Sequence, residues 1–499
     1  MRVCRAKEPQ VLGPHDPARN ATPLTSVRAT PIKKGDKVPF LAKFSYAMGG
    51  TSDIFGHWLY NALANPVFVT FRGLSPTAVS TAVGAARMVD AFADPLFGWI
   101  SDNARSRFGR RRPFILFGSL LAGVALPFLF MAPSGFSHKQ LLWFMVISAT
   151  LNAVILSSSN MPHQSLGAEL TPSYHERTSI MAWKASIQKL SGIVTASGFW
   201  FATLPMFIDS ATGKPDVARG ATWLAAICGA IMVISGFMNF FLLREPYYEK
   251  AKRQEKVKFL QTFADTFRCR PYLVLLGVAF AYAIPTGLVG SLGYYATTYY
   301  VCPHDLHQAA RITLYSGIAY ALMGIAGVPV AVGFSRGFGK KWALTYTLVA
   351  GLFAFGSSWW LFTPNHPWLS VLCAGLNGFS AAGLWVVLPS MCVDVVDYDE
   401  IRSGKRLEGA FASSFARVLK VGMSAAIFVV GPLLDYVTGF DAKLLGNQTP
   451  ETIWLIRVLF AGIPVGALLA ALILAQSFPL TEAKMAAIRE ELEARRGTV

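Results

Sequence analysis

Apolar runs of about 20 residues recur twelve times along this 499-residue chain. Each run is long enough to cross a hydrocarbon layer of about 30 Å as an α-helix. Helix is the required conformation, because every backbone polar group inside a bilayer must be satisfied within the segment. The sequence therefore predicts an all-α polytopic membrane protein with twelve transmembrane helices. The predicted spans are 44–71, 78–101, 114–133, 141–167, 179–207, 221–243, 271–300, 311–334, 342–362, 368–392, 409–437 and 453–476.

The location of the positive charges predicts how the chain crosses the membrane. Only 15% of the residues are charged, against about 25% in soluble proteins, yet the formal net charge is +17. With the N-terminus inside, the inner connections hold 24 Lys and Arg residues and the outer connections hold 6. This excess on one side predicts a multi-pass inner-membrane protein with both termini in the cytoplasm. The basic charge is then a topology signal, and no nucleic-acid partner is expected.

A short internal repeat indicates two similar halves. Phe108-Gly109 followed by two arginines recurs 230 residues later as Phe338-Gly339 followed by two lysines, between equivalent predicted helices. Many transporters consist of such repeats, with the binding site at the interface of the halves. We expect a disordered cytoplasmic tail over 1–42, six-helix bundles over 43–243 and 271–476, a cytoplasmic linker over 244–270 and a cytoplasmic C-terminal tail over 477–499.

Three charged residues lie where the bilayer centre is predicted. Asp90 and Asp94 are four residues apart in the second span, so both carboxylates project from one helix face. An Asp at the centre of a membrane helix costs about 2.5–3.5 kcal/mol, so both must face a cavity or a partner. Lys420, in the eleventh span, is the balancing charge from the other half. The pair predicts a site for Na⁺ or H⁺; the alternative is an ion pair that only holds two helices together.

Polar side chains in the first half predict a substrate site. Asp53, His57, Asn61 and Asn65 follow one another at four-residue intervals along the first span. Amide and hydroxyl groups of this kind suit a neutral polyhydroxylated ligand, although they also form hydrogen bonds between helices. The candidate substrate contacts are Asp53, His57, Arg87, Asn160, Gln164 and Lys184.

Charged residues after the second and tenth spans are candidates for a cytoplasmic gate. Their opposite charges allow ion pairs that break and form again during alternating access, whereas a solvated charged loop is the alternative. The candidates are Asp102, Arg105, Arg107 and Arg110 in the first half, and Asp394, Asp397 and Arg406 in the second.

The chain resembles the glycoside–pentoside–hexuronide:cation symporter family of the major facilitator superfamily. The most specific motif starts Asp90-Ala-Phe-Ala-Asp94-Pro95, runs through Asp102, and ends with Arg105-Ser-Arg107-Phe-Gly109-Arg-Arg-Arg-Pro113. Glu169-Leu-Thr171 with Glu176-Arg177, and Asp397-Tyr-Asp-Glu400 before Gly404-Lys405-Arg406, also match. The resemblance implies the major facilitator fold.

By position, the resemblance also implies roles for residues of this chain. Asp90 and Asp94 match the cation-site carboxylates of the family, Lys420 matches a site lysine, and Arg87 also matches. Ser157 stands where the family usually has a Thr ligand. The sugar side departs from the melibiose permease: Asn160 replaces an aspartate, Gln164 replaces a tryptophan, and Lys184 lies about where an arginine is found.

Together these features predict a symporter that imports a sugar or glycoside with Na⁺ or H⁺, without a bound cofactor, as a monomer in the lipid bilayer. A cation-coupled symporter of lysolipids or other amphiphiles is the first alternative. A membrane sensor or enzyme is the second, but His57 and His163 with Asp53 are the only candidates for catalysis and show no known ligand spacing. We therefore expect no enzymatic activity.

Overall fold

The computed structural model of the protein describes residues 37–171, 174–210, 213, 215–245, 267–404, 408–444 and 446–496. Twelve long helical segments, named α1–α12, are found in this described part, followed by a shorter helix, α13. The segment α1 consists of Phe40–Gly49, Thr51–Asp53, Ile54–Leu59, Tyr60–Ala64 and Asn65–Phe71. The remaining helices are α2 Pro76–Asn103, α3 Arg112–Phe128, α4 His138–Glu169, α5 Tyr174–Ala196 with Gly198–Ala202, α6 Val217–Leu242, α7 Arg270–Tyr295 with Ala296–Val301, α8 Leu306–Phe338, α9 Lys340–Leu361, α10 Leu369–Ser403, α11 Glu408–Pro432 with Leu433–Val437, α12 Pro450–Gln476 and α13 Glu482–Arg496.

The twelve predicted spans correspond to these twelve segments. Eight of the described helices are long and apolar enough to cross a bilayer. Of the others, α1 is interrupted by two π-helical stretches and α3 has 17 residues, while α2 and α5 carry charged residues. The third predicted span was too long, since α3 ends at Phe128.

Two predictions about local structure were wrong. The helix α10 extends to Ser403, so Asp394 and Asp397 lie on its last turns and not in a loop. Pro162 does not break the fourth span, because α4 is continuous through it. The first 36 residues, 246–266 of the predicted linker, and the gate candidate Arg406 lie outside the described residues. In the predicted C-terminal tail, α13 packs on α10 and buries Met485 and Leu492.

Local sequence signals start several helices. Ser75 caps α2 by accepting a hydrogen bond from the amide of Ala78, and Pro76 occupies the first helical position, where no amide donor is needed. Ser137 and Gln140 form a reciprocal capping box at the start of α4. These caps fix where the chain turns from a connection into a span.

The two halves have the same internal packing. Each pairing of helices in the first half recurs in the second: α2 with α4 and α8 with α10, α3 with α6 and α9 with α12, and α1 with α5 and α7 with α11. Gly109 and Gly339, the repeated glycines, both have positive φ, 103° and 85°. Only glycine adopts this region readily, which explains why it stands at both places. The structure thus shows the twofold repeat indicated by the sequence.

The halves are closed at one end and separate at the other. A single buried hydrophobic cluster joins them at the end opposite the Gly109 and Gly339 loops, with Leu63 and Phe68 of α1 next to Leu292 of α7. At the end with these basic loops, each half has its own cluster, around Ile115 in the first and Tyr272 in the second. The interior therefore opens toward the basic end.

Polar contacts reinforce the closed end. The hydroxyl of Thr70 lies 2.6 Å from that of Tyr294 and 2.8 Å from that of Tyr299. The amide of Thr77 donates to Asp435 over 2.8 Å, so a carboxylate of α11 caps the first turn of α2. Such a cap on a free amide at a helix N-terminus favours the closed arrangement.

Close backbone contact at Gly431 offers a test of this closure. A Cβ atom at Gly431 of α11 would lie 2.1 Å from Ser80 Oγ of α2, so Gly431→Ala must push the two helices apart. We expect spin labels at the exposed positions Lys139 and Lys443 to move apart by several ångströms, measured by pulsed electron resonance.

The matched control is Gly462→Ala in α12, where an added Cβ meets open space. Both changes raise helix propensity equally, so only the α2–α11 contact differs. An unchanged distance in Gly431→Ala would show that this contact does not hold the end closed.

Candidate cation and substrate site

The two halves meet in the middle of the bundle through Lys420. Its Nζ atom on α11 donates to Asp90 Oδ2 on α2 over 2.8 Å and also to Asp94 Oδ2. Asp90 is 1% exposed and Asp94 is 6% exposed. One ammonium group thus bridges two buried carboxylates that come from the other half of the chain. The structure brings together the three charges on which the sequence prediction of a cation site depends.

Two further side chains surround Asp90. The hydroxyl of Ser157, on α4, donates to Asp90 Oδ1 over 2.9 Å. His57 Nε2, on α1, lies 3.3 Å from the same oxygen. Ser157 was predicted as part of the cation site and is found there. His57 was predicted as a substrate contact, and the structure places it between the two groups.

The donor set suits a small hard cation. Asp94 Oδ1 is buried and has no hydrogen-bond partner among the described residues, so one carboxylate oxygen is available beside Asp90 and the Ser157 hydroxyl. Oxygen atoms of these types are the ligands of hard cations. The described part of the chain has no group of three or more His, Cys, Asp and Glu arranged to hold a metal ion.

His57 connects this cluster to Asp53. Its Nδ1 atom lies 3.4 Å from Asp53 Oδ1, and Asp53 keeps 37% of its side chain exposed. His57 lies within the π-helical stretch Ile54–Leu59 of α1. A continuous set of contacts therefore leads from Asp53, at an accessible surface, through His57 to the buried Asp90.

The other half of the predicted polar stripe has a different role. Asn65 accepts a hydrogen bond of 3.3 Å from Tyr295 of α7, and the Asn61 amide lies 3.6 Å from where a Cβ of Gly290 would stand. Both asparagines face the second half near the closed end. The stripe is thus divided between the site and the interface of the halves.

Two cationic side chains lie on aromatic rings near Asp53. The Arg87 guanidinium of α2 lies 4.9 Å from the centre of the Trp58 ring, and Lys184 Nζ of α5 lies 5.8 Å from the centre of the Tyr46 ring. Both distances are within the range of cation–π attraction. The sequence prediction missed Trp58, although its position directly after His57 in a polar stripe was a signal.

The remaining substrate candidates are both on α4. Asn160 is buried, one turn after Ser157, and Gln164 is exposed. Their neighbour His163 has a structural role, because its ring stacks on Tyr46 and its Nε2 lies 2.8 Å from the Tyr46 carbonyl oxygen.

The predicted gate residues form ion pairs within their own half. Asp102 pairs with Arg111 over 2.7 Å, and Arg110 pairs with Glu169. In the second half, Asp394 pairs with Lys340 of α9 over 2.7 Å. The Arg107 guanidinium lies over the Phe108 ring, Arg105 is in the α2–α3 connection, and Asp397 is on α10.

Glu245 is a functional candidate that the sequence prediction missed. Its carboxylate accepts hydrogen bonds of 2.9–3.0 Å from the amides of Arg110, Arg111 and Arg112, at the start of α3. In the second half, Glu482 Oε2 would lie 3.0 Å from a Cβ at Gly339. The signal was an acid directly after the last basic residue of α6, but only the α3–α6 packing shows its target.

Comparison with known proteins agrees with this architecture. The family described as MFS/sugar transport protein matches residues 46–482. The chain belongs to this family of the major facilitator superfamily. The family is one of transporters and not of enzymes, so the enzyme alternative is excluded. The resemblance to glycoside–pentoside–hexuronide:cation symporters is thereby confirmed, as is the prediction of a multi-pass membrane protein.

Individual relatives and solved structures cover nearly the whole chain. An uncharacterized symporter of Bacillus subtilis, YnaJ, is 28% identical over 473 residues, which are 92% of this chain and 96% of the relative. The putative glycoside/cation symporter YagG of Escherichia coli is 26% identical, over 90% of this chain and 94% of the relative. A D-xylose–proton symporter structure aligns with a TM-score of 0.61 at 14% identity, over 89% of this chain and 98% of the other, which confirms the major facilitator fold.

Removal of Lys420 tests the strength of the central ion pairs. In Lys420→Met, two buried carboxylates lose their counter-charge, and breaking a buried pair costs about 3–5 kcal/mol. We expect a clearly lower unfolding temperature of the purified protein in detergent without added cation. Asp94→Asn in the same chain should recover part of this loss, because only one charge then remains.

The control is Lys139→Met, which removes an exposed lysine. If Lys420→Met unfolds at the same temperature as the wild type and Lys139→Met, the ion pairs do not stabilise the fold.

Proposed function

We propose that the protein is a symporter that couples the uptake of a sugar or glycoside to Na⁺ or H⁺. The observation that carries this proposal is the bridge of Lys420 to both Asp90 and Asp94 across the two halves. Transport of sugar by this family and the printed description of YagG as a glycoside/cation symporter support it. No cofactor is needed, and we expect a monomer to be sufficient, because the site lies within one chain.

The proposed coupling follows from repulsion between the two carboxylates. Asp90 and Asp94 lie one helical turn apart and are buried, so a positive charge must be present between them. In the structure Lys420 supplies it. A bound cation supplies it instead when it engages Asp94 Oδ1, Asp90 and the Ser157 hydroxyl, and Lys420 is then free to leave. The cation thus decides whether α11 is held to α2.

Release of Lys420 connects the cation site to alternating access. The structure is closed at one end by the hydrophobic cluster and open toward the basic loops. If the basic end is cytoplasmic, as the excess of Lys and Arg predicts, this is an inward-open arrangement. Rocking of the two halves about the central ion pairs would then open the other end, while the ion pairs within each half at Asp102 and Asp394 rearrange.

Asp53, Asn160 and Gln164 are the proposed hydrogen-bonding groups for the sugar. A sugar hydroxyl both donates and accepts, so a carboxylate and two amides offer suitable partners. His57 lies between Asp53 and Asp90, and through it a ligand at Asp53 affects the cation site. This polar lining favours a sugar over the amphiphile of the alternative prediction.

Replacement of one site carboxylate tests the proposal. In Asp94→Asn the cation loses a charged ligand, and we expect cation-driven accumulation of sugar in membrane vesicles to fall by at least about tenfold, a loss of about 1.4 kcal/mol or more. Uptake of a panel of labelled sugars and glycosides, with Na⁺ and H⁺ gradients applied separately, is the measurement.

Asp441→Asn, an isosteric change at an exposed connection, is the control and should transport normally. Cation-dependent accumulation that persists unchanged in Asp94→Asn would contradict the proposed cation site. Competition by lysolipids but not by sugars would support the amphiphile alternative instead.

A further inference from the structure

Arg87 and Lys184 are cations without an anionic partner. Among the described residues, neither side chain makes an ion pair or a side-chain hydrogen bond; each instead lies over an aromatic ring. Both keep partial access to solvent. The Lys184 side chain packs 3.2 Å from where a Cβ of Gly50 would stand, one turn before Asp53, and Arg87 lies on Trp58, next to His57. Two unpaired cations therefore border the accessible surface around Asp53.

The carboxylates of this region are, by contrast, all engaged. Asp53 contacts His57, and Asp90 and Asp94 share Lys420. The described acidic groups therefore leave nothing for Arg87 and Lys184 to pair with. An arginine and a lysine that are kept within a membrane bundle at considerable cost indicate a binding role.

The formal charges of this region balance while it is empty. The carboxylates of Asp53, Asp90 and Asp94 equal in number the cations Arg87, Lys184 and Lys420. Nearby groups outside this set, Lys189 over the Tyr320 ring and Arg417 in the field of Asp94, add only positive charge. A protonated His57 would also add positive charge.

Entry of the coupling cation disturbs this balance. One Na⁺ or H⁺ leaves a net positive charge in the interior, and an uncompensated charge at low dielectric is costly. A neutral sugar does not remove this charge, whereas a sugar with one negative charge restores neutrality. The cation and an anionic sugar would then each make binding of the other favourable.

We propose that the substrate is an acidic sugar, with a carboxylate or sulfonate group bound by Arg87 and Lys184 and hydroxyl groups bound at Asp53. This inference rests on the proposed symport and narrows its substrate class. It explains coupling as a requirement for charge balance: the empty region and the region loaded with cation and sugar are neutral, and the singly loaded forms are not.

Matched pairs of ligands test the inference. The full-length protein, purified in detergent, is titrated by calorimetry with sugars that differ only in the acid at C6: methyl glucuronide against methyl glucoside, methyl galacturonide against methyl galactoside, and methyl 6-deoxy-6-sulfoglucoside against methyl glucoside. Na⁺ is saturating in one series and absent, at low pH, in another. In at least one pair we expect the acidic ligand to bind at least about tenfold more tightly.

Variants identify the groups that read the acid. Lys184→Gln and Arg87→Gln should each reduce the preference for the acidic member at least about tenfold, while Lys139→Gln, at an exposed position, should leave it unchanged. Lys184→Arg, which retains the charge, should keep the preference, and it serves as the test if Lys184→Gln does not fold.

Failure of the inference is distinguishable from failure of the proposed function. If a neutral member binds with cation dependence and as tightly as its acidic partner, or if Lys184→Gln and Arg87→Gln retain the acid preference, the inference is overturned and symport stands. If no member of any pair binds in either series, the proposed sugar symport fails, and the inference fails with it.

Discussion

Two carboxylates in the interior of a membrane protein, one helical turn apart, require a positive charge between them. Asp90 and Asp94 impose this constraint from α2, and Lys420 meets it from α11 in the other half. The cost of leaving either carboxylate unpaired is several kcal/mol. The arrangement of the two halves therefore depends on which cation fills the space between these groups, and any cation that competes with Lys420 acts on the whole molecule.

The twofold repeat of the fold explains why a single ion-pair cluster has this effect. The pairing of α2 with α11 has its counterpart in the pairing of α8 with α5, so the halves contact each other along two symmetric seams. At one end the seams are closed by the shared hydrophobic cluster and by the Thr70 and Asp435 contacts. At the other end the halves have separate cores. The Lys420 cluster lies between these ends, where a small change in its contacts can favour one arrangement over the other.

The sequence predicted the span count, the repeat and the Asp90–Asp94–Lys420 cluster, because hydropathy, spacing and buried charge are local properties. It did not predict that His57 lies between Asp53 and Asp90, since the π-helical turns of α1 determine its direction. Glu245 was missed because its partners are backbone amides 133–135 residues away. The end of α10 was placed too early because its charged last turns read as a loop. Contacts set by tertiary packing leave little trace in a single sequence.

Competition between Lys420 and the coupling cation is the central claim, and cation affinity tests it most directly. The measurement is binding of Na⁺ by calorimetry, and of H⁺ from the pH of half-saturation, to the purified wild type and to Lys420→Met. If Lys420 must leave before the cation binds, the variant will bind the coupling cation at least about tenfold more tightly than the wild type. Equal or weaker binding by the variant would contradict the account.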